Sequence, residues 1–259
     1  MSETRVHPTA MVSPRAELGA RVEVGPGANI GPNVSVGDGA VIGSWAILER
    51  NVRLGARCRV GPFSVIGGDP QDLKYRGEET WVEIGDETVV REYVTVNRGT
   101  AQSGSTTAGK GCLLMTSVHV AHDCHLGDGV ILSNGVGLAG HVVIGDRAIV
   151  GGMTGVHQFV RIGRYAFVGG MAKVTKDVPP YTRADGNPSR LYGLNTIGLQ
   201  RSGFPRETIE ELKRAYRLFF RSDLNISQAQ ERARTELAQL PEVAEFVRFI
   251  AGSERGVLV

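Results

Sequence analysis

Large aliphatic residues fall on every sixth position of this chain and keep that phase for most of its length. They run Val6, Val12, Leu18, Val24, Ile30, Val36, Ile42, Leu48, Leu54, Val60 and Ile66, and resume at Ile84, Val90 and Val96. They resume once more at Leu114, Val120, Leu126, Leu132, Leu138, Ile144, Val150, Val156, Ile162, Val168 and Val174. All are multiples of six, which chance in an aliphatic-rich chain does not produce. A period of six matches neither the 3.6 of a helix nor the alternation of an amphipathic strand. It matches a hexapeptide solenoid: each hexad is a short strand and a turn, the aliphatic points inward, and the glycine that often follows supports the corner. Three hexads close one triangular coil, and stacked coils place residues three hexads apart above one another at roughly 4.8 Å in parallel sheets. The expected fold class is therefore mainly β, a parallel β-helix.

The two pauses in the pattern, Ile66 to Ile84 and Val96 to Leu114, each span three hexads, so the register survives them. This predicts two loops of equal length ejected from corners, near 67–83 and 97–113. The first is "GGDPQDLKYRGEETWVE"; the second, "NRGTAQSGSTTAGKGCL", is rich in Gly, Ser and Thr. Long loops on a compact scaffold commonly carry function. The hexads stop near residue 182, dividing the chain into a solenoid over 1–182 and a small all-α C-terminal domain over 183–259. In that domain "FPRETIEELKRAYRLFFRS" reads as a helix with Pro205 near its start and Ile209, Leu212, Tyr216, Phe219 and Phe220 on one face. "ISQAQERARTELAQL" reads as a second, with Ser227 and Gln230 as a capping box, and "PEVAEFVRFIAG" as a third. Residues 183–221 carry eight Arg or Lys against four acids, either a solvated face or an anion-binding surface.

The net charge of +2 calls for no nucleic-acid partner. Three cysteines are too few and too scattered for a disulfide framework. No apolar run is long enough to span a bilayer and the N-terminal segment has no apolar core, so a soluble, cytoplasmic protein without stable membrane insertion is expected. "GVGLAG" matches a dinucleotide fingerprint but lies inside the hexads, without the helix it needs; "GSTTAGKG" lacks the hydroxyl residue after Lys110 that a phosphate loop requires.

The stretch "SVHVAHDCHL" holds His119, His122 and His125. The three-hexad coil separates them. Gly140 falls one coil above His122 with His141 beside it, and Gln158 one coil further with His157 beside it. His119 and His125 precede inward aliphatics and belong to another face. Three readings of the column remain open: tolerated polar residues at exposed corners; a zinc site, for which no further Cys or carboxylate completes a set; or a general base. In the last, an imidazole near neutral pKa takes a proton, Asp123 orients its tautomer, and the Gly140 N–H stabilises an oxyanion, the apparatus of acyl transfer.

The motifs "DPQDLKYRGE", "HVAHDC", "GLAGH", "GGMTGVHQF" and "KDVPPY…GNP" together resemble the UDP-N-acetylglucosamine acyltransferase family, which begins lipid A synthesis. The resemblance covers nearly the whole chain and implies a left-handed parallel β-helix of hexapeptide repeats, assembled as a homotrimer with active sites between subunits. It implies transfer of a 3-hydroxyacyl chain from acyl carrier protein to the 3-position of UDP-N-acetylglucosamine, with no metal and no cofactor, the thioester being a substrate. By motif match His122 is the general base, Asp123 its partner and Gly140 the oxyanion donor. Asp72 and Lys74 would bind the sugar nucleotide; His119, His141, His157 and Gln158 would contact substrate; Asn195 and Arg201 would meet the uracil and phosphates; Gly170 would gauge acyl length. Ile197 and Ser202 stand where the family often has Glu and a second Arg. The rivals are the same chemistry on a 3-amino sugar, another hexapeptide acyl- or acetyltransferase using coenzyme A, a zinc-dependent hydratase of the carbonic anhydrase kind, and a non-catalytic scaffold.

Overall fold

The computed structural model describes residues 3–259. Among these the strands, mostly two residues long, form three sheets of 11, 9 and 8 strands, each sheet taking every third strand as far as Lys173–Val174. The chain thus winds round a triangular prism as a left-handed parallel β-helix. Val6 pairs with Val24, Val24 with Ile42 and Ile42 with Val60, each partner three hexads further along the chain.

The pauses differ from the expectation of equal loops. Val60 pairs with Val90, five hexads on instead of three, so two hexads' length of chain leaves the coil between the strands Val65–Gly68 and Trp81–Ile84. Val90 pairs with Leu114, only four hexads on, so the second excursion expels a single hexad's length, within 98–104. Residues Ser105–Ala108 rejoin the third sheet, pairing with Trp81–Ile84 below and, through Thr107 and Ala108, with His125 and Leu126 above. Ala108 holds the inward position there, and its small side chain gives no aliphatic signal. Both excursions leave from the same corner, between the second and third sheets. The "GSTTAGKG" stretch is this strand and its turn, not a phosphate loop.

The corners also work differently from the sequence reading. The left-handed backbone falls on the third residue after most of the aliphatics, and it is mostly not glycine: Asn33, Trp45, Asp123 (φ 61°), His141 (φ 62°) and Phe159 (φ 63°) all adopt it. The glycine just after the aliphatic serves close approach instead. A Cβ on Gly31 would lie 1.6 Å from the Glu49 carbonyl oxygen of the next coil, and one on Gly145 2.5 Å from Arg164 N. A second inward position, four after the aliphatic, takes small residues such as Val22, Ala40, Val118 and Val130, all fully buried. The three cysteines stand there: the Cys58, Cys112 and Cys124 thiols donate to the carbonyls of Gly85, Gly127 and Ala139 at 3.1–3.2 Å. Burial pushes Cys58 up to about 11 and Cys124 up to about 12, so these thiols are packing groups rather than nucleophiles.

The first sheet continues past residue 182: Phe167 and Val168 pair with Arg183 and Ala184, and the hairpin Thr182–Asp185 and Arg190–Leu194 closes the prism. Four helices follow, α1 (Thr196–Arg201), α2 (Arg206–Phe220), α3 (Ile226–Glu236) and α4 (Pro241–Ala251). The capping box of α3 is Asn225 with Gln228, not Ser227 with Gln230, because the helix starts two positions earlier than its sequence pattern indicates. The α2 face buries Ile209, Leu212, Tyr216 and Phe219, with Phe219 edge-on to Phe246 of α4 at 5.9 Å. The tail returns to the last coil, where Leu258 N donates to the Asp177 carbonyl at 2.9 Å.

Candidate active site

The corner between the second and third sheets carries both excursions and, on the coils above them, the histidine column. Asp123 and His141 take the left-handed corner position one coil apart, and His122 precedes Asp123. The His122 Nδ1–H donates to Asp123 Oδ2 at 2.7 Å. The Asp123 carboxylate is fully buried and accepts three further contacts from the second excursion: Thr100 N to Oδ1 at 2.8 Å, Thr100 Oγ1 to Oδ2 at 2.9 Å, and Ser103 Oγ to Oδ1. Its backbone N–H donates to Thr106 Oγ1 at 2.8 Å. Burial alone would push the Asp123 carboxyl up, but hydrogen bonds from Ser103, His122 and Thr100 outweigh it and hold the group below the ordinary 3.8. It is therefore a carboxylate at neutral pH, and it leaves the His122 Nε2 lone pair free to accept a proton.

Gly140 lies against that imidazole. A Cβ on Gly140 would fall 2.6 Å from His122 Cε1 and 2.8 Å from Nε2, so only glycine fits. Its N–H belongs to a class the solenoid leaves outside its ladder, two positions after the aliphatic. Elsewhere Pro8, Pro14, Pro26, Pro32 and Pro62 occupy that position at no cost in hydrogen bonds. Alternatively an aspartate from the next coil caps the N–H: Asp38 caps Ala20, Asp128 caps Lys110 and Asp146 caps Asp128, at 2.7–3.0 Å. Above Gly140 stands Gln158, and the Gly140 N–H makes no hydrogen bond among the described residues. Base and free donor are thus adjacent by construction.

Two cavities meet at His122. One, of about 660 Å³, runs toward the first excursion and is lined by Asp72, Lys74, His141 and Gln158 together with Gln71 and Phe159. Asp72 turns its own loop, accepting from Lys74 N at 2.9 Å. The other, of about 600 Å³, follows the face of the second sheet past Gly140, Gly137 and Gly155 to Lys173 and is lined by His119 and His157. His119, Gly137, Gly155 and Lys173 are in register on adjacent strands, and a Cβ on either glycine would meet nothing. His125 lines neither cavity and contacts Thr107 Oγ1 at 3.0 Å. His141 stacks on Phe159 at 4.5 Å and stands edge-on to His122 at 5.2 Å. Burial holds His141 and His119 below the ordinary imidazole value.

Within one chain the structure does not bring Asn195, Arg201 or Gly170 to this corner. Asn195 is the N-cap of α1: its Oδ1 accepts from Gly198 N at 3.2 Å and its Nδ2 donates to the Tyr165 carbonyl at 3.0 Å, at the corner between the third and first sheets. Arg201 ends the same helix, exposed. Gly170 lies on the corner between the first and second sheets, where a Cβ would stand 3.2 Å from the Gly152 carbonyl oxygen. Sequence reasoning passed over Thr100, Ser103 and Thr106, although the Ser/Thr richness of the second excursion pointed at them. It also passed over Arg255, whose Nη2 donates to His157 Nδ1 at 3.1 Å.

His122, Asp123 and His141 bring candidate donor atoms within 4.8 Å of one another. The four oxygen lone-pair sites of Asp123 are nevertheless taken by Thr100 (twice), Ser103 and His122, so a metal ion would first have to displace them.

A hexapeptide β-helix with an oriented imidazole beside an uncapped backbone N–H defines an acyltransferase of the hexapeptide-repeat class. Residues 33–68 match the bacterial transferase hexapeptide repeat, and residues 177–258 match the second domain of UDP N-acetylglucosamine O-acyltransferase. The acyl-[acyl-carrier-protein]–UDP-N-acetylglucosamine O-acyltransferase of Aquifex aeolicus is 62% identical over 195 residues, 75% of each chain. That of Thermodesulfovibrio yellowstonii is 45% identical over 211 residues, 81% of this chain and 82% of the other. The crystal structure of the UDP-N-acetylglucosamine acyltransferase from Bacteroides fragilis superposes with a TM-score of 0.97 at 42% identity, covering 98% of this chain and 100% of that one. The chain belongs to the acyl-[acyl-carrier-protein]–UDP-N-acetylglucosamine O-acyltransferase family.

Proposed function

We propose that this chain transfers a 3-hydroxyacyl group from acyl carrier protein to the 3-hydroxyl of UDP-N-acetylglucosamine, the opening step of lipid A synthesis, with His122 as general base. The observation that carries the reading is the placement of the His122 imidazole between the Asp123 carboxylate and the Gly140 N–H. His122 Nε2 takes the hydroxyl proton as the sugar oxygen bonds to the thioester carbon. The carbonyl oxygen becomes an oxyanion facing the Gly140 N–H. The C–S bond then breaks, and the imidazolium returns the proton to the leaving sulfur. Asp123 remains a carboxylate and stabilises the imidazolium, as in other oriented histidine pairs.

The cavity beside Asp72 and Lys74 suits the sugar nucleotide, with Lys74 toward the diphosphate. The glycine-floored groove past His119 and His157 suits the acyl donor. Asn195, Arg201 and Gly170 reach such a site only from a neighbouring copy, which favours a homotrimer with active sites between subunits. Gly170, carrying no side chain, leaves room for a longer acyl group. Carrier proteins bearing about fourteen carbons should outcompete those bearing about ten, at ~0.8 kcal/mol per buried methylene. Ion pairs within α2 use Lys213 and Arg214 but leave Arg201, Arg206 and Arg217 free of carboxylate partners among the described residues, a basic surface for an acidic carrier. No helix among the described residues is long and apolar enough to cross a membrane. A cytoplasmic location belongs to the same proposal, since that is where acyl carrier protein and the sugar nucleotide would be met.

The deciding assay is mass spectrometry of the product formed from UDP-N-acetylglucosamine and a panel of acyl carrier protein thioesters, alongside His122→Ala. The variant should lose at least about 10²-fold in kcat. An acylated product only from the 3-amino sugar, or only from coenzyme A thioesters, moves the assignment to those rivals.

A further inference from the structure

One carboxylate here faces two imidazoles. Asp123 Oδ2 lies 2.7 Å from His122 Nδ1 and 3.5 Å from His141 Nε2, and the two rings meet edge to face. Asp123 and His141 repeat the same corner conformation one coil apart, so both imidazoles stand close to the same carboxylate oxygen. The second excursion holds that carboxylate. Thr100 touches both carboxylate oxygens, its N–H on Oδ1 and its hydroxyl on Oδ2. The Thr100 hydroxyl oxygen also accepts from Gln102 N at 3.2 Å, which leaves its proton for Asp123. Ser103 Oγ adds to Oδ1 while lying 2.9 Å from the Ser105 carbonyl oxygen, so its single proton is shared between two acceptors. These contacts hold both carboxylate oxygens, with Oδ2 nearer His122 than His141.

We infer that Thr100 and Ser103 are positioning residues that select His122, rather than His141, as the imidazole oriented by Asp123. On this view the excursion within 98–104 is part of the catalytic apparatus although it touches no reacting atom. With the clamp removed, the carboxylate turns toward His141, and His122 loses the partner that fixes its tautomer and steadies its imidazolium. The inference rests on His122 being the base, and the two fail separately.

The test compares full-length wild type with Thr100→Val/Ser103→Ala, Ser103→Ala and Thr100→Ser. In the wild type the proton shared by His122 Nδ1 and Asp123 should give a low-field histidine resonance that His122→Ala removes and His141→Gln does not. In Thr100→Val/Ser103→Ala that resonance should vanish or become sensitive to His141→Gln. kcat should fall about tenfold or more, while KM for UDP-N-acetylglucosamine stays within about twofold, the pattern of a lost transition-state contact. Thr100→Ser, which keeps the hydroxyl, should retain both at wild-type level. Full kcat with an unchanged resonance in the double variant overturns the inference, as does an equal loss in Thr100→Ser. If the double variant does not fold, Ser103→Ala on the exposed loop carries the same comparison, and an unaltered resonance and kcat there overturn the part assigned to Ser103. Full activity in His122→Ala instead overturns the reading beneath it.

Discussion

Gly140 lies directly against the His122 imidazole, and a methyl group there would fall inside the contact radius of both Cε1 and Nε2. Gly140→Ala should therefore displace the base and shield the oxyanion donor at once. The fold has no comparable objection, because the clash is with a part-buried side chain and not with a coil backbone. We expect kcat to fall by about 10²–10³-fold, the cost of losing an oxyanion contact, with the melting temperature nearly unchanged. Steady-state kinetics beside a thermal melt checks this; near-normal kcat removes Gly140 from the mechanism.

Two kinds of glycine in this chain are separated by alanine substitution. At Gly31 or Gly145 the added Cβ meets the backbone of the next coil at 1.6 Å or 2.5 Å, where neither chain can yield. Gly31→Ala should destabilise by at least ~1–3 kcal/mol, the usual range for overpacking. Gly137 and Gly155 have nothing within reach of a Cβ and floor the groove beside His119. Gly137→Ala should leave stability unchanged or slightly raised, since a strand alanine costs less backbone entropy, yet raise KM for the acyl donor. Urea unfolding and donor titration on the two variants measure both halves.

The sixfold phase made the solenoid legible down to individual inward residues, and the three-hexad offset placed Gly140 against His122 before any coordinates. That the Gly140 N–H stands outside the ladder shows only in the structure, where prolines or aspartate caps occupy the equivalent positions elsewhere. What else escaped the sequence lies where the repeat is broken. Ala108 hides in the second pause because a methyl group gives no aliphatic signal. Thr100 and Ser103 reach Asp123 from an excursion out of register, so no fixed offset connects them. The capping of α1 by Asn195 escaped because that helix is too short to show an amphipathic stripe. The register of α3 was missed by two positions because Ser227 and Gln230 mimic the box that Asn225 and Gln228 form.

Acid should weaken the fold in two stages. Burial holds His119 and His141 below the ordinary 6.5, with His122 adding to it at His119 and Asp123 partly opposing it at His141. The unfolded chain then binds protons near 6.5 that the folded chain refuses, so stability present above that value is lost as pH falls toward the lower folded values. Asp123 and Asp69 are held below 3.8, so their contribution persists above that value and is lost as pH falls through their folded values. Denaturant midpoints should be flat between about pH 7 and 8 and decline from about pH 6.5 downward, with a separate alkaline decline as the cysteines ionise in the unfolded chain but not in the core. In His119→Gln/His141→Gln the first decline should shrink and the second remain; an unaltered profile assigns the loss to other groups.

Chelation should leave the enzyme active. His122, Asp123 and His141 are close enough to hold an ion, so proximity alone does not decide the matter. The hydrogen-bond inventory of Asp123 does: its two oxygens accept from Thr100 N, Thr100 Oγ1, Ser103 Oγ and His122 Nδ1, which fills the acceptor capacity of a carboxylate. An ion on Oδ2 would break the contact that orients His122 and leave the buried Thr100 hydroxyl without its acceptor, a cost of about 1–3 kcal/mol before any gain from coordination. Acyl transfer by the full-length protein should be the same before and after exhaustive EDTA treatment, and added zinc should inhibit rather than activate. Loss of turnover on chelation, restored by stoichiometric zinc, would show that the ion and not the Asp123–His122 pair activates the nucleophile.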